Sequence, residues 1–325
     1  MSMKRFVKKS SRELAIVGLI LAMTVIFTLI QPRFMQSSTF IDIIEQATIN
    51  SFLGIGMTLA IITGGIDLSV GSIMAVVVCV CGMASVGGMN KFAVILLGLA
   101  VGAVIGFLNG FLIAKMKLQP FVATLGTEEA LRGAAFMITG GWPVLSIPKD
   151  FRNILNAPSA IGGIRNFVFV MLVAAVIYSF ILHRTKAGTY IYAIGANEEA
   201  AKLSGVSTDW YKILAYLLCG IGAALAGMVM LARLGAGEPS AGSGYELDAI
   251  AASAIGGTSM AGGKGTIWGT IVGAIMLSTL KVGLVVIGMD TFVQYVAIGS
   301  VIIFAAYFDT LQAGITKAIS AAKKH

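Results

Sequence analysis

Apolar residues in this chain come in runs of about twenty separated by short polar breaks, and that spacing constrains the fold more than any other feature. About 20 helical residues cross the hydrocarbon core of a bilayer. A backbone in lipid must satisfy its own N–H and C=O groups, so the crossing element is a helix. The pattern predicts spans near 13–31, 42–63, 67–86, 92–115, 120–139, 166–184, 211–234, 245–258, 266–286 and 292–309. The third and eighth are the least regular. The expected fold class is an all-α integral membrane protein of about ten transmembrane helices. Composition agrees: 57% of residues are hydrophobic and 12% charged, against about 25% charged in a soluble domain. A core built from 325 residues cannot hide that much apolar surface from water. Leu14–Ile30 runs into Gln31, Pro32 and Arg33 and reads as a retained span, not a cleaved signal.

Lysine and arginine placement gives the expected orientation. With the N-terminus inside, 15 of the 23 basic residues fall on cytoplasmic segments and 6 outside, while Arg132 and Lys281 lie within spans. Both termini are then cytoplasmic, which requires an even number of spans. The net charge of +8 is explained by these loops, and no basic patch interleaved with aromatics suggests nucleic acid. The whole of 1–325 reads as one transmembrane domain. It has a cytoplasmic segment at 1–12, a cytoplasmic loop at 185–210 and a cytoplasmic tail at 310–325. The two halves share a weak self-similarity. Ile66-Asp67-Leu68 and Glu246-Leu247-Asp248 each open an interrupted span. Gly102 and Gly106 resemble Gly269 and Gly273 in their flanks, as Phe121-Val122 resembles Phe292-Val293. Spans 3–5 thereby match spans 8–10. A shift of five spans reverses the direction of each matched helix, the arrangement of an inverted-topology repeat.

Two segments carry most of the chemistry. In Thr63–Ser72 a carboxylate, Asp67, sits beside Gly64 and Gly65 within an apolar run. Such a group is costly in a membrane unless paired or wet. Asp67 or Ser69 can cap the following helix, and an interrupted helix can also mark a solute path; both roles stay open. The polar span residues Asn50, Asn109, Gln119 and Thr124 stand between the same alternatives, contact with solute hydroxyls or helix–helix hydrogen bonds. In Gly195–Val206, Asn197 is a plausible N-cap, Glu198 and Glu199 suit the first turn, and Gly205 a stop. This predicts a short amphipathic helix whose Ala200, Ala201 and Leu203 are either a connector or a plug for a partner's groove.

Other chemistries are excluded by what the motifs lack. Gly257–Lys264 fails the spacing of a phosphate loop, since Gly265 follows the lysine, and Ser240 stands where a dinucleotide fingerprint needs its third glycine. No nucleotide site and no cofactor is expected. Cys79, Cys81 and Cys219 lie in apolar runs and suggest packing, not disulfide or metal. The two histidines, His183 and His325, give neither a metal cluster nor a catalytic base.

The chain resembles the membrane permease subunits of bacterial sugar ABC importers, of the binding-protein-dependent transport permease family. The resemblance runs from about 14 to 309 and rests on Gly64–Ser72, Asn109-Gly110, Pro120–Thr127, Arg132-Gly133, the loop at 195–206, Gly244–Ala252 and Gly256–Gly265. It implies a non-catalytic translocation subunit of the bacterial inner membrane, moving a monosaccharide such as ribose by alternating access. It implies three partners: a separate ATP-binding subunit, an extracytoplasmic sugar-binding protein and a second permease subunit, identical or paralogous. It also implies that Asn197, Glu198, Glu199, Ala200, Ala201, Leu203 and Gly205 form the coupling helix against the ATPase. Asn50, Asp67, Asn109, Gln119 and Thr124 remain candidates for the pathway. The chain departs from the family at Glu128 and Glu129, where small or apolar residues are usual. Arg132, four and three residues on, can pair with them on a helix, or the three can line a path or an interface. Lys281 can snorkel or pair with an acid. An ion-coupled secondary transporter acting alone is the alternative, though it has no need of the loop at 195–206.

Overall fold

The computed structural model describes residues 11–159, 163–290, 292–300 and 303. Most of the segment 1–12, the end of the tenth predicted span and the tail 310–325 lie outside the described residues. The chain order is α1 (Ser11–Ile30), a 3-10 turn (Pro32–Met35), α2 (Ser37–Ile62), α3 (Val70–Val86), α4 (Lys91–Ala114), α5 (Pro120–Thr139) and α6 (Lys149–Asn156). It continues with α7 (Asn166–Arg184), α8 (Lys186–Ala196), α9 (Glu198–Leu203), α10 (Thr208–Leu234), α11 (Tyr245–Ile255) and α12 (Ile267–Val286). Residues 292–300 and 303 are also helical. Extended pairing among the described residues is confined to two isolated bridges, Val144 with Gly237 and Pro158 with Arg165.

Helices stand at every predicted span. Four of them, α4, α7, α10 and α12, are long and apolar enough to cross a membrane; α3 and Ile16–Ile30 of α1 are apolar but shorter. The third and eighth spans differ most from expectation. α3 starts at Val70, so Asp67 lies in the break and not in the helix, and α11 stops at Ile255 before Gly256 and Gly257. The loop at 185–210 holds two helices, α8 as well as the expected α9, and the connection 140–165 holds α6.

α10 is the central post. It packs most extensively on α4, then on α2 and α3. The α4–α10 contact is backbone to backbone: a Cβ on Gly102 would lie 2.4 Å from the Gly220 carbonyl, and one on Gly106 2.3 Å from the Tyr216 carbonyl. No larger residue fits a seam this tight, which is how helices associate in lipid without a hydrophobic drive. α2 is buried from Ala47 to Ile62, and α3 is buried on nearly all sides. α1, α4, α5 and α7 each leave apolar side chains such as Leu29, Leu96, Val122 and Phe180 exposed. α2 packs on α11 and α12 much as α10 packs on α3 and α4. The glycines matched by sequence do not share a partner, however. Gly102 and Gly106 face α10, whereas Gly269 and Gly273 approach the Gly256 and Ala252 carbonyls at the end of α11.

Candidate functional site

The break between α2 and α3 is a polar junction of five helices. The chain leaves α2 at Thr63 and turns through Gly64 at φ +86, a left-handed conformation that glycine adopts without strain. Asp67 is fully buried, and its Oδ1 accepts from the Ser69 amide at 3.0 Å and the Ser69 hydroxyl at 2.6 Å. Asn109 on α4 donates to Ser69 Oγ at 2.8 Å and reaches Asp67 Oδ1 at 3.5 Å. Thr124 on α5 and Tyr216 on α10 donate to the Ile66 carbonyl at 3.2 and 3.5 Å. Asp67, Asn109 and Thr124 are thus brought together, each fully buried. Asn50 is elsewhere, buried and donating to Ser278 Oγ of α12 at 3.2 Å. Gln119 is exposed at the N-cap of α5, where its side chain makes no capping bond.

α9 is held out from the bundle by polar anchors. Asn197 Oδ1 caps it by accepting from the Ala200 amide at 3.0 Å. Gly205 turns the chain away at φ +81. Glu198 ties α9 to α10, accepting from Lys212 at 2.6 Å and pairing with Lys202 at 3.1 Å. Burial opposes ionisation of Glu198, but the two lysines outweigh it and hold its carboxyl below the usual range. The expected apolar contact divides. Ala201 is buried and seats the helix, while Glu199 and Ala200 are exposed and Leu203 is 91% exposed. Beside α9 opens a groove of about 550 Å³ lined by Lys115, Lys117, Lys202, Asp209 and Trp210, among others. Asp209 pairs with Lys115 at 3.0 Å and Lys117 at 2.8 Å. Asp209 and Trp210 are not singled out by the sequence. The available signal is an acid in the first turn of α10 matched by two lysines just past α4.

The charges that the sequence places within spans follow two patterns. Lys281 on α12 is paired with Asp248 on α11 and lies 5.7 Å from the Tyr245 ring centre. Arg132 does not pair with Glu128 or Glu129 as their spacing allows. It donates instead to the carbonyls of Pro239 and Ala241, at 3.1 and 2.7 Å. Glu246 of α11 lies within electrostatic range of this guanidinium; it lies within the motif Gly244–Ala252, but nothing local to it points to Arg132. Among the described residues no cluster of His, Cys, Asp and Glu could hold a metal ion.

Residues 39–306 match the protein family described as "Branched-chain amino acid transport system / permease component". The ribose import permease protein of Escherichia coli (strain K12) is 39% identical over 300 residues, 91% of this chain and 92% of its own length. The corresponding protein of Bacillus subtilis (strain 168) is 39% identical over 88% of this chain and 89% of its own. The fructose import permease protein of Rhizobium meliloti is 33% identical over 94% and 87%. No solved structure matches the chain. Matched along nearly its whole length, and built from apolar helices around a close-packed post, this helical membrane protein belongs to that family of transport permease components.

Proposed function

We propose that the chain is the membrane-spanning translocation subunit of an ATP-driven importer that carries a monosaccharide, ribose or a related sugar, into the bacterial cytoplasm. The observation that carries this reading is the match to sugar import permeases over 91% of the chain. In this reading ten helices cross the inner membrane with both termini cytoplasmic, and the 15-to-6 division of basic residues supports that orientation. The reciprocal packing of α2 on α11 and α12, and of α10 on α3 and α4, supports two inverted halves around a shared α2–α10 contact. A second permease subunit, an extracytoplasmic sugar-binding protein and a separate ATP-binding subunit complete the machine. α9 is the element that meets the ATPase. It is short, capped, clamped to α10 through Glu198, and presents Ala200 and Leu203 outward. An isolated Leu side chain this exposed is apolar area ready for a partner's groove. Closure of the ATPase would push α9, and the Glu198–Lys212 clamp would pass the displacement to the central post.

The buried junction at Asp67, Asn109 and Thr124 serves this movement as a joint. It fixes α2, α3, α4 and α5 to one another through hydrogen bonds, so they move as a body while the path opens beside them. The test is co-purification of ATP-binding protein with detergent-solubilised wild type and with Ala200→Arg plus Leu203→Arg. Wild type retains an ATPase and the variant, still monodisperse, loses it. An ATPase-free wild type that accumulates sugar on an ion gradient would replace this reading with a secondary carrier.

A further inference from the structure

Among the described residues, a cluster between α5 and α11 leaves a charged donor and a charged acceptor open side by side. Arg132 stands twelve residues into α5 and seven from its end, about 18 and 10 Å along the helix. Its Nη1 is spent on the Pro239 and Ala241 carbonyls, but its Nη2 is buried and has no partner. Glu246 uses Oε1 to accept from the Gly244 amide at 3.2 Å, and its Oε2 is likewise buried without a partner. Glu128 and Arg132 both lie within electrostatic range of Glu246. Gly71 on α3 makes room for this carboxylate, since a Cβ there would stand 2.6 Å from Oε2. Glu129 lies on the exposed side of α5 between the exposed Leu125 and Phe136. A carboxylate facing hydrocarbon is costly, and intramembrane charges as a rule face protein or a watery cavity.

We propose that Glu128, Arg132 and Glu246 recognise hydroxyl groups of the transported solute, on a stretch of the path bordered by α5; this rests on the importer reading above. The chemistry narrows the ligand. Arg132 and Glu246 together offer one buried unused donor and one buried unused acceptor. An anion would answer only the guanidinium and would be repelled by the carboxylates. A metal or ammonium cation would answer only the carboxylates and would be repelled by Arg132. A hydroxyl both donates and accepts, and two neighbouring hydroxyls can bridge the pair at once. A zwitterion would also answer both groups; with a sugar as the solute, as in the importer reading, the ligand is a neutral polyol.

The test uses the complete transporter in cells, with uptake of D-ribose and 2-deoxy-D-ribose by wild type, Glu246→Gln and Arg132→Lys. Both variants keep size, and Arg132→Lys also keeps charge but loses the planar fork. Recognition of hydroxyls predicts at least a tenfold loss of D-ribose Vmax with unchanged ATPase co-purification. It also predicts a collapse of the preference for D-ribose over the deoxy sugar. A second arm uses Glu129→Cys, reads labelling of the new thiol by a charged methanethiosulfonate, and expects modification; Cys79, Cys81 and Cys219 are buried. Uptake variants with the wild-type sugar preference overturn the assignment, and if the Glu129→Cys thiol is labelled they leave a site for water only. A Glu129→Cys variant that resists labelling overturns it as well. Failure of wild type to take up sugar alongside its ATPase would instead overturn the importer reading, and this site with it.

Discussion

Glu246 and Asp248 are two residues apart in the first turn of α11, and the fold treats them oppositely. Side chains two apart on a helix point to different sides. Asp248 turns to α12, where Lys281 meets it, with Tyr245 over the ammonium group. Glu246 turns to α3 at Gly71 and lies within electrostatic range of Arg132 on α5 without bonding to it. The first pair is closed: each charge is matched, and little is left over. The second is open: a guanidinium nitrogen and a carboxylate oxygen are both buried and unmatched. Burying unmatched polar groups lowers stability, so a protein that can close a pair at one position and leaves it open one step away is using the open one. The closed pair holds α11 to α12, and the open one waits for a ligand.

The sharpest way to break this contrast is to remove one partner of the closed pair. Lys281→Met leaves Asp248, whose side chain is only 4% exposed, as an unpaired charge, a change that costs about 3 kcal/mol. The double variant Lys281→Met with Asp248→Leu recovers most of that loss, because a buried ion pair is often matched by apolar packing. Thermal unfolding in one detergent reads both. If Lys281→Met unfolds at the wild-type temperature, the closed pair contributes nothing and the contrast fails. Gly71→Ala comes next, with a loss of about 2 kcal/mol. Its Cβ would lie 2.3 Å from the Gly242 carbonyl as well as against Glu246, so α3 must move from the 235–244 segment. Sugar uptake falls with it if the open cluster depends on that spacing. Glu246→Gln is smaller again, within about 1 kcal/mol, because its one hydrogen bond survives the change. Large stability losses from Lys281→Met with small ones from Glu246→Gln, and the reverse order in transport, would complete the comparison.

How much of this the chain declares in advance depends on whether the cause is local. The helices at the predicted spans follow from apolar runs, which need only neighbours in sequence. The N-cap at Asn197 and the stop at Gly205 are equally local. α8 is not legible because Lys186–Ala196 mixes glycine and tyrosine with apolar residues and shows no clean stripe; its Gly188 and Gly195 press against the Leu182 and Ile62 carbonyls, a tertiary cause. Lys281 could not be assigned a partner because Asp248 is 33 residues away. Arg132 illustrates the opposite error. Spacing offered Glu128 and Glu129 four and three residues off, but carbonyls 107 and 109 residues away took the guanidinium. Among the proposed path residues, Asp67, Asn109 and Thr124 converge, whereas Asn50 ties α2 to α12 and Gln119 is exposed. Polarity within a span says that a partner is needed and not which one.

The smallest effect concerns the clamp at the far end of α10, and it compares an exposed charge cluster with the two buried ones. Glu198 is partly exposed and meets Lys212 and Lys202. Its carboxyl is held below its ordinary value, although burial pulls the other way. A lowered folded value means that folding favours the ionised form. The stabilisation is therefore complete above the ordinary Glu value of 4.5 and fades as pH falls through the lower folded value. Solvent and salt screen a surface cluster of this kind, so the gain is under about 1 kcal/mol. Melting curves of wild type and Glu198→Gln should differ slightly at pH 7 and merge once pH falls below the lowered folded value, with the pH 7 gap narrowing in 1 M salt. Lys281→Met should keep its larger deficit in that salt, since buried pairs are screened far less. A gap at Glu198 that widened on acidification would mean that the clamp binds the protonated acid, and that α9 is fixed by something other than its lysines.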